Sequence, residues 1–292
     1  MHACGHDGHI AIGLGVANVF ARLEPDPSGT VRLIFQPAEE GALGGAAAIV
    51  ARGLADDLDA IACFHLGFGF PTGTFVARGV LMATSKFRLT FRGSSAHPVL
   101  APHEGRNALL AGSAAALALH AIPPHPNGWF NVNVGVLQAG ESQGVTPDLA
   151  VLELGVWASG AEIHRSVNER ILEIARGVAA TWDVELDVAH IGESPFTGQD
   201  ASLGAVAEEV ARTTPGIDSV VDTLDTSAAD DANVLIERVQ SRGGRGIYSV
   251  IGSTLADGHH TPSFDFDERS LVHGTSVLSG ILAELLDDPR PD

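Results

Sequence analysis

Short apolar runs alternate with helix-patterned segments at both ends of this sequence, and a different order interrupts them in the middle. TVRLIFQP (30–37) and DAIACFHLG (59–67) read as strands buried on both faces, because neither alternates polar with apolar residues. SVVDTL (219–224) and RGIYSVIG (245–252) are further strands. Between and after them, 10–24, 44–56, 203–214, 230–244 and 267–288 read as helices, the fourth ended by glycine and the last capped by Asp267 or a neighbour. This βα alternation predicts an α/β fold with a mostly parallel sheet covered by helices. The middle runs strand 85–93, helix 104–122, strands 131–140 and 149–158, helix 161–182 and strand 184–192. That β-α-β-β-α-β order is the ferredoxin-like pattern. The sequence thus predicts a domain of 1–84 and 194–292 with a smaller domain, 85–193, inserted into it.

The totals exclude several classes. The chain has 292 residues, 45% of them hydrophobic and 18% charged, which suits a globular protein with a sizeable core. A net charge of -19 repels phosphate backbones, so nucleic acid is excluded as a partner. Two cysteines, Cys4 and Cys63, make no disulfide framework and fit a reducing compartment. No apolar run has the length of a membrane span, and the first residues lack the pattern of a signal peptide. The expectation is a soluble cytoplasmic protein that does not bind membranes.

Four stretches carry chemistry: ACGHDGH (3–9), QPAEEG (36–41), FHLG (64–67) and GHHTPSFDFDE (258–268). Sites in open α/β sheets form beyond the carboxyl ends of the strands. Glu39 and Glu40 follow the 30–37 strand, His65 ends the 59–67 strand, and His259 and His260 lie beyond the 245–252 strand. Cys4 and His6 precede the first helix. The four stretches are therefore expected to meet at one edge of one sheet. Thiolate, imidazole and carboxylate together suit a borderline divalent metal. Gly5 lets the chain turn so that Cys4 and His6 converge. Adjacent glutamates point in different directions, so one can bind metal while the other acts as general base. The reaction class is metal-assisted hydrolysis, in which the metal acidifies water. His125, His164, His190 and His273 read as ordinary polar histidines.

HACGHDGH (2–9), VRLIFQPAEEG (31–41), FRGSSAHPVLAPHEGRNALL (91–110), NVGVLQAGE (133–141) and GHHTPSFDFDE (258–268) together resemble the metal-dependent amidohydrolases that include aminoacylases and indole-acetyl-amino-acid hydrolases. The resemblance runs in order through nearly the whole chain. It implies a metallopeptidase-like catalytic domain holding two divalent metal ions, zinc or manganese. It also implies an inserted lid that mediates homodimerisation, and a further partner in the form of a related second subunit. It implies Cys4 as the bridging ligand, with His6, Glu40, His65 and His260 completing the two metal sites. Glu39 is then the general base and the acid that protonates the leaving amine. His97 is presented to the substrate carbonyl, and Asn133 is a polar substrate contact. Asp7 and His9 are helix-start residues or supports behind the ligands rather than ligands. The implied reaction is cleavage of the amide bond of an N-acyl amino acid, aromatic acyl groups as in aminobenzoyl-glutamate included.

Three departures bear on this. Relatives often carry an arginine on the 149–158 strand that clamps a substrate carboxylate, and Trp157 stands in that place. Their Ser-Glu-Asp before the 230–244 helix reads Ala229-Asp230-Asp231, and the shorter Asp230 is not expected to reach as far. Full-length relatives have further strands of the catalytic sheet ahead of the HACGHD stretch, which implies an N-terminally truncated catalytic domain. Two alternatives stand beside the hydrolase: a catalytically impaired homologue that binds metal or a partner protein, and a general aminoacylase.

Overall fold

The computed structural model describes residues 2–23, 28–40, 44–226 and 228–287. Two sheets organise them. The first contains β1 (Ala60–Leu66), β2 (Thr74–Val80), β7 (Ser219–Asp225) and β8 (Arg245–Ile251), in the order β1-β8-β2-β7. The β1–β8 and β2–β7 pairs are parallel and β2–β8 is antiparallel, so the sheet is mostly parallel. β8 lies inside it, and all but its first residue are buried. A continuous apolar run suits such a strand, because both of its faces are covered.

Helices α1 (His6–Phe20), α5 (Ala201–Thr213) and α7 (Arg269–Asp287) cover one face, where Ile12, Val16, Leu203, Ala207, Val277 and Ile281 pack on Leu66, Phe75 and Ile247. Helices α2 (Gly45–Ala51) and α6 (Ala232–Ser241) supply Ala46, Leu235, Ile236 and Val239 on the other. Each fully buried Leu or Ile contributes about 1.5–3 kcal/mol relative to an exposed one. No described helix is long and apolar enough to cross a membrane.

The chain enters the second sheet at β3 (Ala83–Arg92) and leaves it after β6 (Glu185–Ser194). Between them lie α3 (Ala108–His120), β4 (Phe130–Ala139), β5 (Leu149–Ala158) and α4 (Ala161–Trp182). The strand order is β4-β5-β3-β6, antiparallel throughout, which is the ferredoxin-like arrangement. β5 buries every second residue, as a strand with one covered face must. α4 meets that face with Ile163, Val167, Ile171, Ala175 and Ala179, an i, i+4 stripe. α3 is started by Asn107, whose side chain accepts the Leu110 amide at 3.1 Å. The opposite face carries neither helix.

The expected strand at 30–37 does not form. Residues 31–37 have no ladder partner among the described residues and none is buried; Phe35 is 50% exposed. A strand needs a facing row of backbone groups, and the described ladder of β1 goes to β8. Arg32 instead binds the Leu54 carbonyl at 2.9 Å and the Asp57 carboxylate at 2.6 Å. Glu39 and Glu40 therefore follow an irregular segment, with Ala38 at φ 57° turning the chain just before them. β2 was not anticipated: TFVARGV runs almost directly into the residues of β3, and the two strands merge in sequence. α1 begins earlier than expected, at His6, and α2 ends earlier, at Ala51.

Candidate metal centre

Four segments converge beyond the ends of β1 and β8, although one arrives without the expected strand. Gly5 sets the first. It lies at φ 87°, the left-handed region that glycine occupies without strain, immediately before α1. The turn leaves Cys4 in the loop and His6 in the first helical turn, facing the same space. β1 ends with His65, which is buried. Its Nδ1 meets the Leu66 carbonyl at 2.7 Å, which leaves Nε2 directed at the Cys4 Sγ, 3.4 Å away. Burial pushes the His65 imidazolium down to about 3, and the neighbouring histidines add to that, so the ring is neutral with a free lone pair.

His259 and His260 come from the loop after β8. His259 Nδ1 lies 3.6 Å from Cys4 Sγ, and its Nε2 accepts the Phe68 amide at 3.4 Å. His260 sits at φ 63°, its amide donating to the Ala3 carbonyl at 2.6 Å, and its Nε2 lies 3.2 Å from Glu40 Oε1. His6 Nε2 is 4.0 Å from a carboxylate oxygen of both Glu39 and Glu40.

The donor atoms of Cys4, His6 and His65 lie within 4.8 Å of one another, and so do those of Cys4, Glu40 and His260. Cys4 belongs to both groups. Its thiol is pushed up to about 12, first by burial and then by Glu40, Glu39 and Asp230. The donors are thus a thiol, neutral imidazoles and crowded carboxylates, a set in want of positive charge that fits borderline divalent ions.

Glu39 shares a third such group with His6 and Glu40 and a fourth with Asp230 and Asp231. Burial, then Asp230, Glu40 and Asp231, push its carboxyl up to about 8, and Lys86 pulls the other way. Asp230 does reach this neighbourhood despite being shorter than glutamate. Its carboxylate accepts the Tyr248 hydroxyl at 2.9 Å and the Ala232 amide at 2.8 Å. Asp231 is buried and accepts Gln36 and, at 3.1 Å, the Ala46 amide.

His9 is a support: its Nε2 accepts the Leu66 amide at 3.0 Å, from inside α1. Asp7 stays at the helix start, accepting the Gly8 amide at 3.0 Å. His97, Asn133 and Trp157 belong to the second sheet and its loops and lie outside the donor groups. His97 is exposed, and its Nδ1 accepts the amides of Val99 and Leu100, both at 3.2 Å. Asn133 is exposed and Trp157 half-buried on the face without helices. His164 is not an ordinary polar histidine: it is buried, and its Nε2 lies 2.7 Å from Ser85 Oγ. Sequence reading also missed the approach of His259 to Cys4, for which the adjacent pair of histidines was the available signal. It missed Tyr248 and Lys86, which stand in no motif.

Comparison with known proteins decides the family. Residues 1–284 match peptidase family M20/M25/M40. The chain belongs to this family. It is 40% identical over 287 residues to a homolog of a p-aminobenzoyl-glutamate hydrolase subunit from Haemophilus influenzae, covering 98% of this chain and 68% of that one. It is 41% identical over 281 residues to the indole-3-acetyl-aspartic acid hydrolase of Enterobacter agglomerans, covering 96% of this chain and 64% of that one. The chain thus spans about two thirds of the length of these relatives. Among solved structures, an aminobenzoyl-glutamate utilization protein from Klebsiella pneumoniae superposes with a TM-score of 0.84 at 37% identity, covering 94% of this chain and 67% of that one. A dinuclear metal binding peptidase of the M20 family from Bacillus subtilis superposes with a TM-score of 0.77 at 25% identity, covering 98% and 74%. The family resemblance and the fold class read from the motifs are both borne out.

Proposed function

We propose that this chain is a metal-dependent hydrolase that cleaves the amide bond of an N-acyl amino acid, with an aromatic acyl group. The observation that carries the reading is Cys4 as common member of two donor groups, with Glu39 beside them. Cys4, His6, His65, Glu40 and His260 would hold two divalent ions, zinc or manganese. When bound, such a pair supplies Lewis acidity toward water and the amide carbonyl. Glu39, beside that set, takes the proton from water and returns it to the leaving nitrogen. His97, with Nδ1 occupied by backbone amides, carries its proton on Nε2 and donates it to the carbonyl oxygen as charge develops there. Asn133 and Trp157 contact the substrate.

Residues 1–84 and 194–292 form the catalytic domain in this reading, and 85–193 form the lid. The exposed Val99, Leu100 and Leu117, at 78%, 80% and 76%, support the lid as the surface of a homodimer. The Haemophilus relative is named for one subunit of a hydrolase, which supports a further partner in a second, related protein. Two free cysteines fit a cytoplasmic setting.

The test is turnover of aminobenzoyl-glutamate, indole-3-acetyl-aspartate and simpler N-acyl amino acids by metal-loaded protein. Glu39→Gln should lower kcat about 10²–10⁴-fold while metal content stays the same. Unchanged turnover removes Glu39 from its role, and no turnover of any member of the panel removes the hydrolase reading.

A further inference from the structure

The uncovered face of the second sheet carries a row of three side chains that its register brings to one level. Asn133 of β4 and Lys86 of β3 both pair with Gly155 of β5, one from each side. Residues paired across antiparallel strands point to the same face. Trp157, two residues further along β5, shares that face. Its ring lies over Gly155: a Cβ there would stand 2.6 Å from the outer edge of the indole. Glycine at 155 is what lets the indole lie down between the amide and the ammonium.

Two further observations single out Lys86. The start of β3 lies by the Glu39 neighbourhood: Ser194, paired with Thr84 two residues before Lys86, donates its hydroxyl to the Asp230 carbonyl at 2.7 Å, and the carboxylates of Asp230 and Glu39 lie within 4.8 Å of each other. The row is therefore carried on a strand that begins beside the donor groups. Lys86 is also the only lysine of the chain, whose other 16 of 17 basic residues are arginine. The face thus offers, side by side, a flat apolar surface, an amide and a compact cation. An N-acyl amino acid with an aromatic acyl group presents the complements: a ring, an amide bond and a carboxylate.

We propose that Lys86 is the specificity-determining residue that receives the carboxylate of the substrate, with the Trp157 indole against its ring. This rests on the hydrolase reading above. It also resolves the departure at Trp157. The positive charge that a carboxylate needs comes from β3, and position 157 is left for stacking.

The experiment uses the metal-loaded Glu39→Gln protein and measures calorimetrically the binding of aminobenzoyl-glutamate and of its uncharged bis-amide. Adding Lys86→Met should weaken binding of the acid about 10–100-fold and of the bis-amide less than threefold, the range of one lost charge-assisted contact. Lys86→Arg should keep acid binding within about fivefold, which separates loss of charge from loss of fold. Equal weakening of both ligands, no weakening of the acid, or no binding of the acid before Lys86 is changed each overturns the assignment. Turnover by the protein with Glu39 intact is measured alongside. Lys86-dependent binding without turnover sinks the hydrolase reading alone, and turnover that ignores Lys86 sinks the Lys86 assignment alone.

Discussion

Tyr248→Phe isolates one bond beneath the candidate centre. Tyr248 is fully buried in β8, and its hydroxyl donates at 2.9 Å to the carboxylate of the half-buried Asp230. Phenylalanine keeps the ring and its packing, so the cavity term is small. What is lost is a hydrogen bond to a charged acceptor, about 1.5–3 kcal/mol, and Asp230 keeps the Ala232 amide. We expect the variant to be about 1–2 kcal/mol less stable at pH 7.5. Burial raises the Asp230 carboxyl above the ordinary range, so the folded state holds that proton more tightly than the unfolded chain. Its ionisation therefore costs stability as pH rises through that window. Removing the phenol raises the carboxyl further, so the deficit is full at neutral pH. It shrinks as pH falls to where Asp230 is protonated in both proteins. The assay is urea denaturation of metal-free protein by circular dichroism at several pH values, with m unchanged. A deficit below about 0.5 kcal/mol at pH 7.5, or one that grows toward acid, refutes the reasoning.

Two further outcomes follow from other parts of the molecule. Zinc or manganese added at a hundred times its Kd should stabilise the metal-free protein by about 2.7 kcal/mol. Cys4→Ala should remove most of that shift, because two of the donor groups share the thiol, whereas His260→Ala should remove less of it; thermal melts with metal counting read both. The second concerns His164, whose imidazolium is held below its ordinary range by burial, with Glu193 opposing and His190 adding. A histidine depressed in this way contributes stability above its unfolded pKa and loses it as pH falls below about 6.5. His164→Gln should flatten that acid limb in a urea series run from pH 7.5 to 5, and an unchanged limb would place the acid sensitivity elsewhere.

Much of the fold and the centre was legible because local pattern and tertiary role coincide. The β-α-β-β-α-β order of 85–193 appears in the structure element for element, since β5 alternates throughout and α4 keeps an i, i+4 stripe. His65 and His260 converge because the end of β1 and the loop past β8 share a sheet edge, while Cys4 and Glu40 reach it from segments that follow no described strand. Residues 30–37 show the limit: their composition suits a strand, but a strand exists only with a partner, and composition carries no register. Lys86 and Tyr248 were illegible for the same reason. Their neighbours, Glu39 and Asp230, are set by how separate elements pack. Trp157 read as a lost arginine from its own strand, and only the pairing of Gly155 with Lys86 gives it a cation for company.

The backbone of Leu66 is held on both sides by imidazoles, its carbonyl at His65 Nδ1 and its amide at His9 Nε2. Main-chain groups survive every substitution at their own position except proline. The aim of His65 is therefore insulated from mutational drift at residue 66, where only packing is at stake. Side chains around the candidate centre can change while one of its donor groups keeps its bearing.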